Sequence, residues 1–193
     1  MRNTAERSTG TAPARRFALF ATAIGDCGVA WQGDELTNVL LPAADGAAPR
    51  SLLRHLSGGE DATDAPWPPF VRRAVDGMQA LLRGEAAALA GVPLAWTRVS
   101  GFERRVYEAT QRIGPGATRT YGELARELGG GASDARAVGT ALGRNPWPLV
   151  VPCHRVLAAG GKLGGFSAPG GVAVKERLLA IEAPLARRDG ELF

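Results

Sequence analysis

The sequence has little with which to build a disulfide framework or a metal site. Its 193 residues include two cysteines, Cys27 and Cys153, and two histidines, His55 and His154. Two cysteines allow one disulfide at most, and they exclude a four-ligand zinc site built from thiolates. Cys27 and His55 alone fall far short of a ligand cluster. We therefore expect neither a metal nor another cofactor.

Long hydrophobic runs are also absent. No apolar run approaches the roughly 20 residues of a membrane-spanning helix, which excludes an integral membrane protein. Residues 1–16 are polar and arginine-rich and contain no hydrophobic core of a secretory signal, so they are predicted to form a disordered arm. With 45% hydrophobic and 22% charged residues, the chain has the composition of an ordinary globular protein. The expected location is the cytoplasm, or the nucleus of a eukaryotic cell.

Lysine is scarce, and the basic charge is unevenly distributed. Of the 23 basic residues, only Lys162 and Lys175 are lysines. Residues 1–98 carry ten basic and ten acidic side chains, whereas residues 99–188 carry thirteen basic and seven acidic ones, a net charge of +6. An anionic partner would dock most naturally on this second half. A solvated basic face of an ordinary enzyme explains the same charge and remains the alternative.

The first half of the chain begins with a pattern typical of a β-sheet. Short β-type runs at residues 17–23, 27–31 and 36–42 are separated by Gly-Asp turns and predict an antiparallel meander. Cys27 lies in the second run, where we interpret it as a small packed residue.

Two helical segments complete the first half. A short helix contains His55, which we interpret as a structural or surface residue, and an amphipathic helix with Met78 on its apolar face follows. A Pro-containing linker then precedes Ser100. We therefore predict an N-terminal domain with its linker at residues 17–98 and a C-terminal domain at residues 99–188.

Helix-start signals are clear in the second half. Ser100 and Thr120 are each followed three residues later by a glutamate, which is the pattern of a capping box. Ser133 is predicted to be the N-cap of a third helix that continues to Gly143. Short helices joined by a tight turn in the basic half predict a helix-turn-helix, a motif that binds DNA.

The third of these helices has a face with almost no side chains. Ala135, Gly139 and Gly143 recur every four residues, and Arg136 lies beside that face. Such a face lets another molecule approach the backbone closely, and a wide arginine there suits insertion into a nucleic-acid groove. Tight packing between helices explains the small residues equally well. The pattern alone leaves both interpretations open.

A cysteine and a histidine are adjacent in an apolar segment. Residues 149–151 are predicted to form a strand that leads into Cys153 and His154. Because neighbouring side chains of a strand point to opposite faces, a direct contact between the two requires a turn or a bridging water. The glycine-rich segment 160–171 supplies a loop able to close over a ligand. In the last helix, Val172 and Leu179 lie on the same side as Glu176, which predicts that the Glu176 carboxylate is partly buried. A buried carboxylate needs a polar side chain to pair with.

Four segments of the second half resemble one protein family. ARAVGTALGRNP, followed by LVVPCHRVL, GGFSAPGG and AVKERLLAIE, is similar to the O6-alkylguanine-DNA alkyltransferases, also called methylated-DNA–protein-cysteine methyltransferases. The resemblance covers about residues 100–183, and TAIGDCGVAW and NVLLP in the first half fit the family's variable domain. It implies a mixed α/β (α+β) fold with an N-terminal ribonuclease-H-like β-meander domain and a C-terminal helical domain that carries the helix-turn-helix.

The resemblance also implies a role for each matching residue. Cys153 would take the alkyl group, His154 would deprotonate it through a water, and Glu176 would orient His154. Tyr121 would donate to the flipped guanine, and Asn145 would tie the helix-turn-helix to the active-site loop. The other expected contacts are with DNA, at Arg136, Ala135, Gly139 and Thr140, and with the guanine, at Leu142, Pro148, Val156, Phe166 and Ser167.

The implied activity is DNA repair by a single-turnover reaction. The alkyl group of O6-alkylguanine, and of O4-alkylthymine, would pass to Cys153 and stay there because nothing regenerates the thioether. The target base would be flipped out of the duplex, with Arg136 filling the gap and the backbone of Val156 and Ser167 reading the guanine edge. The expected partner is double-stranded DNA containing alkylated bases, and the expected state is a monomer without metal.

Three positions depart from the family pattern. Asp134 and Thr140 occupy positions on the recognition helix where small residues are more usual, and Phe166 replaces a frequent tyrosine.

Two other functions are compatible with part of the sequence. A non-catalytic sensor of alkylated DNA would use the same helix-turn-helix but would lack a nucleophile such as Cys153. A Cys-His-Glu thiol hydrolase unrelated to DNA would leave Arg136 and the basic half unexplained.

Overall fold

The computed structural model describes residues 13–43, 49–87 and 89–189, in which a small sheet domain packs against a helical domain. The strands are β1 (Arg15–Phe20), β2 (Cys27–Gln32), β3 (Glu35–Leu40), β4 (Glu60–Asp61), β5 (Arg119–Thr120) and β6 (Val156–Leu157). The helices are α1 (Arg50–Ser57), α2 (Pro69–Leu82), α3 (Gly101–Gln111), α4 (Tyr121–Glu127), α5 (Ala135–Gly143) and α6 (Gly171–Asp189). Within the described ranges, none of the helices has the length and apolar character needed to cross a membrane.

The N-terminal domain is built on a four-stranded sheet in the order β3-β2-β1-β4. Strands β1, β2 and β3 pair antiparallel, which confirms the predicted meander, and β4 adds parallel to β1. Arg15 and Arg16 pair with β2, so the prediction of a disordered arm through residue 16 is wrong at its end. Residues 1–12 of that arm lie outside the described residues.

Helices cover both faces of the sheet. Alternate strand residues point to opposite faces, so Phe17 packs with Leu53 of α1 in one cluster, while Val29 packs in a second cluster that includes Met78 of α2. His55 lies on the exposed side of α1, as the surface interpretation predicted.

Strand β3 is at the edge of the sheet and joins the two domains. The Leu36 N–H donates to the Pro93 carbonyl at 2.8 Å, and the Ala95 N–H donates to the Leu36 carbonyl at 2.9 Å. The Val39 N–H donates to the Pro146 carbonyl at 2.8 Å. Backbone groups that an edge strand leaves free are thus used to hold the segment that precedes the Pro-Cys-His-Arg motif.

The helices of the C-terminal domain begin largely as predicted. Ser100 and Thr120 both form complete capping boxes with the glutamates three residues later. The prediction of Ser133 as an N-cap is wrong, because α5 begins at Ala135 and has no side-chain cap. Instead, the Asp134 carboxylate accepts a backbone N–H of the preceding turn at 2.8 Å.

The predicted strand at residues 149–151 is also wrong. Leu149 has a φ of 73°, which is rare outside glycine, and the Val151 N–H donates to the Trp147 carbonyl to close a tight turn. Pro146, Pro148 and Pro152 flank this run and lack the N–H donors that strand pairing requires. The turn leads directly into a single 3₁₀ turn, Cys153–Arg155.

Candidate active site

Cys153 lies at the start of this 3₁₀ turn and is 8% exposed. The Asn145 Nδ2 donates a hydrogen bond to its Sγ at 3.2 Å and another to the Val151 carbonyl at 2.8 Å. Burial raises the pKa of Cys153 above its ordinary value, and the hydrogen bond from Asn145 and the positive charge of Lys175 offset part of that rise. These two neighbours favour the thiolate, which is the nucleophilic form of cysteine.

His154 is fully buried and pairs with Glu182. Its Nε2 lies 2.9 Å from the Glu182 Oε1. Burial lowers the pKa of His154 more than Glu182 raises it, so the ring is neutral. A neutral ring that donates its Nε2–H to a carboxylate presents Nδ1 as an acceptor. The His154 Nδ1 is buried and has no hydrogen-bond partner among the described residues, so it can accept a proton.

The prediction that Glu176 is this partner is wrong. Glu176 is exposed, and its apolar neighbour Val172 is itself 43% exposed, so this part of α6 faces solvent. Successive helical residues are about 100° apart. Lys175 and Glu182, seven residues apart, share the buried face, whereas Glu176 is rotated toward solvent.

Arg155 fixes the Glu182 carboxylate. Its Nε donates to Oε2 and its Nη2 to Oε1, both at 2.8 Å, and the Gly116 N–H adds a bond to Oε2 at 3.3 Å. Burial raises the pKa of Glu182, but the hydrogen bonds from His154 and Arg155 outweigh burial and bring it to about 2. The carboxylate is therefore ionised at neutral pH and holds His154 in one tautomer.

Lys175 is a third buried charge, besides Arg155 and Glu182, and it was not expected from the sequence. Its Nζ donates to the Val156 carbonyl at 2.7 Å and lies 5.8 Å from the centre of the Tyr121 ring. Burial lowers the pKa of Lys175, while the negative charge of Cys153 raises it. A signal was available in the sequence, since Lys175 lies three residues before the apolar Leu178 and so on the same face of the helix.

A cavity of about 940 Å³ brings most of the predicted residues together with Cys153. The predicted residues in its wall are Tyr121, Ala135, Arg136, Gly139, Thr140, Leu142, Phe166 and Ser167. Pro148 instead lines a second cavity of about 270 Å³, which Cys153 also lines. Val156 is fully buried, with its carbonyl bonded to Lys175. The larger cavity is within the size range of small-molecule sites.

The small residues of α5 are not explained by packing within the chain. A Cβ placed on Gly143 would meet no atom within 4 Å among the described residues, and one on Gly139 would lie 3.8 Å from the Tyr121 ring, an ordinary contact. Arg136 is exposed beside this face. The bare face is thus open to an approaching molecule, which favours the groove interpretation over tight helix packing.

Two hydroxyl groups around the cavity are bonded to the backbone of α5. The Ser167 Oγ donates to the Gly143 carbonyl at 2.6 Å and ties the glycine-rich loop to the end of the helix. The Thr140 Oγ1 donates to the Arg136 carbonyl at 3.0 Å. The loop is therefore held over the cavity by its own side chain.

The remaining cysteine lies away from this site. Cys27 is fully buried in β2, and burial raises its pKa to about 12. The described residues contain no group of three or more side chains placed to hold a metal ion.

Comparison with known proteins identifies the arrangement. Residues 101–184 match the model of the 6-O-methylguanine DNA methyltransferase DNA-binding domain. The methylated-DNA–protein-cysteine methyltransferase of Mycobacterium tuberculosis strain H37Rv is 37% identical over 173 residues, which cover 88% of this chain and 93% of that protein. The chain belongs to this methyltransferase family. A relative of the same name from Mycolicibacterium paratuberculosis is 53% identical over 85 residues, or 44% of this chain and 50% of the relative.

A solved structure of the methyltransferase family extends the likeness to both domains. The crystal structure of M. tuberculosis OGT in complex with DNA is 33% identical, with a TM-score of 0.68 over 89% of this chain and 94% of that chain. The predicted mixed fold, a β domain followed by a helical domain, is thereby confirmed, as is the resemblance inferred from the four sequence segments.

Proposed function

We propose that this chain removes alkyl groups from O6-alkylguanine in double-stranded DNA and keeps them on Cys153. The observation that carries the proposal is the buried His154–Glu182 pair, directly next in sequence to Cys153, which lines one cavity together with Tyr121. Membership of the methyltransferase family and the DNA complex of the M. tuberculosis relative support DNA as the partner.

The transfer requires one bond to form and one to break. The Cys153 Sγ attacks the carbon attached to O6 and forms a thioether as the O6–carbon bond breaks. The thiol proton passes to Nδ1 of His154 through a bridging water, and the ionised Glu182 stabilises the imidazolium. The Tyr121 hydroxyl donates a proton to the departing guanine, and the His154 proton replaces it through solvent.

Tyr121 suits the role of proton donor. Burial raises its pKa, so the hydroxyl stays protonated at neutral pH. It lines the same cavity as Cys153, so a base held there would contact both groups. We infer the same attack on O4-alkylthymine, whose alkyl group is also attached to an exocyclic oxygen.

The reaction consumes the protein. A thioether on Cys153 has no leaving group that water displaces, so each molecule acts once. The reacting groups all come from one chain, so a monomer suffices.

In this proposal, duplex DNA binds to the surface formed by α4 and α5. A target atom inside the stack is inaccessible, so the base is flipped into the cavity. Arg136, exposed beside the bare face of α5, fills the space that the base leaves. The net charge of +6 on residues 99–188 attracts the phosphates.

The test uses a duplex with one guanine that bears a radiolabelled O6-methyl group, mixed with protein in equimolar amounts. We expect one label per protein, found by peptide mapping on Cys153. Repaired DNA with label released as methanol would indicate a hydrolase. Tight binding to the lesion without any transfer would indicate a sensor. Either result would contradict the proposal.

A further inference from the structure

Trp147 links the N-terminal domain to the segment that carries the nucleophile. It is the largest of the fully buried side chains. Its indole Nε1–H donates to the Leu36 carbonyl of β3 at 2.9 Å, a contact across 111 residues of sequence. The neighbouring Pro146 carbonyl accepts from the Val39 N–H at 2.8 Å. Two hydrogen bonds thus fix this segment against β3.

Two aromatic rings hold the indole in one orientation. Trp96 and Tyr107 pack edge-to-face against Trp147, with ring centres 5.3 Å and 6.1 Å away. The Tyr107 hydroxyl in turn donates to the Ala141 carbonyl of α5 at 2.9 Å. The cluster therefore contacts the linker, α3 and β3, and its position is linked to α5.

The backbone of Trp147 determines which way the Asn145 amide points. The Trp147 N–H donates to the Asn145 Oδ1 at 2.9 Å. Because that oxygen is occupied by a donor, the Asn145 Nδ2 faces two acceptors, the Val151 carbonyl and the Cys153 Sγ. A reversed amide would set an oxygen against the sulfur and disfavour the thiolate.

We propose that Trp147 is a positioning residue for alkyl transfer, which couples the N-terminal domain to the reactivity of Cys153 through Asn145. The inference deepens the proposed function and rests on it. The described residues of the N-terminal domain lend no side chain to the larger cavity, yet this domain holds the peptide that orients the Asn145 amide.

Trp147→Phe is the direct test, because it keeps an aromatic ring and removes the N–H that bonds Leu36. The pH dependence of Cys153 alkylation by iodoacetamide, followed by peptide mass, measures thiol reactivity without DNA. We expect its midpoint to move to higher pH, since the hydrogen bond from Asn145 lowers the pKa of Cys153. We also expect methyl transfer from duplex DNA to slow about five- to tenfold at unchanged DNA affinity.

Trp96→Phe is the matched control. It removes an indole from the same cluster, and that indole makes no hydrogen bond among the described residues. We expect a lower melting temperature and an unchanged pH midpoint. An equal shift of the midpoint in Trp96→Phe would show that Trp147 acts through general stability, and would overturn the proposal.

A second comparison asks whether Trp147 acts through Asn145. In an Asn145→Ala background, Trp147→Phe should move the midpoint no further, because the amide it orients is gone. A full additional shift would contradict that route.

A second variant and the labelling of wild-type protein separate the coupling from protein folding and from the proposed function. If Trp147→Phe fails to fold, benzothienylalanine at position 147 retains the ring shape and replaces the N–H with sulfur. An unchanged midpoint in the folded variant overturns the coupling. Conversely, if wild-type protein takes no label from alkylated DNA but the midpoint shifts as expected, the proposed function fails and the coupling stands.

Discussion

The two buried thiols of this chain have contrasting surroundings. Cys27 lies inside the sheet domain, and its hydrogen-bond partner is the Thr22 hydroxyl at 3.8 Å, so burial dominates and raises its pKa to about 12. Burial raises the pKa of Cys153 as well, but there the amide of Asn145 and the charge of Lys175 offset part of the rise, and Cys153 lines two cavities. The reactivity of a thiol therefore depends on its polar neighbours and on access more than on its depth.

The largest expected effect separates the two thiols directly. Cys153→Ser should abolish methyl transfer from duplex DNA and leave DNA affinity within a few-fold, because the thiolate performs chemistry and not docking. Cys27→Ser should keep the transfer rate within about twofold. Rapid-quench assays with labelled duplex and filter-binding titrations measure both quantities. Transfer that survives in Cys153→Ser, or disappears in Cys27→Ser, would break the comparison.

The next effect concerns the pair His154 and Glu182 next to Cys153, which has no counterpart around Cys27 among the described residues. Glu182→Gln removes the charge that stabilises the His154 imidazolium, and we expect the transfer rate to fall about a hundredfold. Glu176→Gln, on the exposed side of the same helix, should leave the rate unchanged. Thermal melts run beside the rate measurements show whether the Glu182 variant is folded. Equal losses in the two folded variants would restore the original prediction of Glu176.

Arg136 distinguishes access to the cavity from the chemistry within it. If its side chain replaces the flipped base, Arg136→Ala should slow transfer from saturating duplex about thirtyfold, since holding the base outside the stack costs a few kcal/mol. Free O6-methylguanine needs no flipping, so its slower reaction should be almost unchanged. The two rates are measured on the same protein preparation. An equal loss on both substrates would mean that Arg136 supports the cavity.

The smallest effect tests the charge next to Cys153. Lys175→Met removes a cation that lowers the pKa of Cys153, so the folded-state pKa rises and the midpoint of iodoacetamide alkylation moves to higher pH. Transfer at neutral pH should slow a few-fold and recover as the pH rises. Lys162→Met, on the exposed loop, is the control and should leave the midpoint unchanged. An unchanged midpoint in Lys175→Met would show that the charge of Lys175 does not affect the reactivity of Cys153.

Much of the helical domain was predictable because its signals are local. The capping boxes at Ser100 and Thr120 depend on groups three residues apart, and both formed as expected. The family segments likewise pointed to Cys153 and His154 without knowledge of the fold. The prediction that Ser133 is an N-cap failed because the neighbouring Asp134 side chain accepts the backbone hydrogen bond of this turn.

The antiparallel β-meander, the two capping boxes and the adjacent cysteine and histidine could be predicted from the sequence alone, since each depends on neighbouring residues or regular spacing. The tertiary structure decided which glutamate reaches His154, because one step along α6 rotates a side chain by about 100° and the packing of the helix selects the face. It also decided the burial of Lys175 and the contact of Trp147 with Leu36. Residues 111 positions apart meet only when both domains have folded, so no local pattern records that contact.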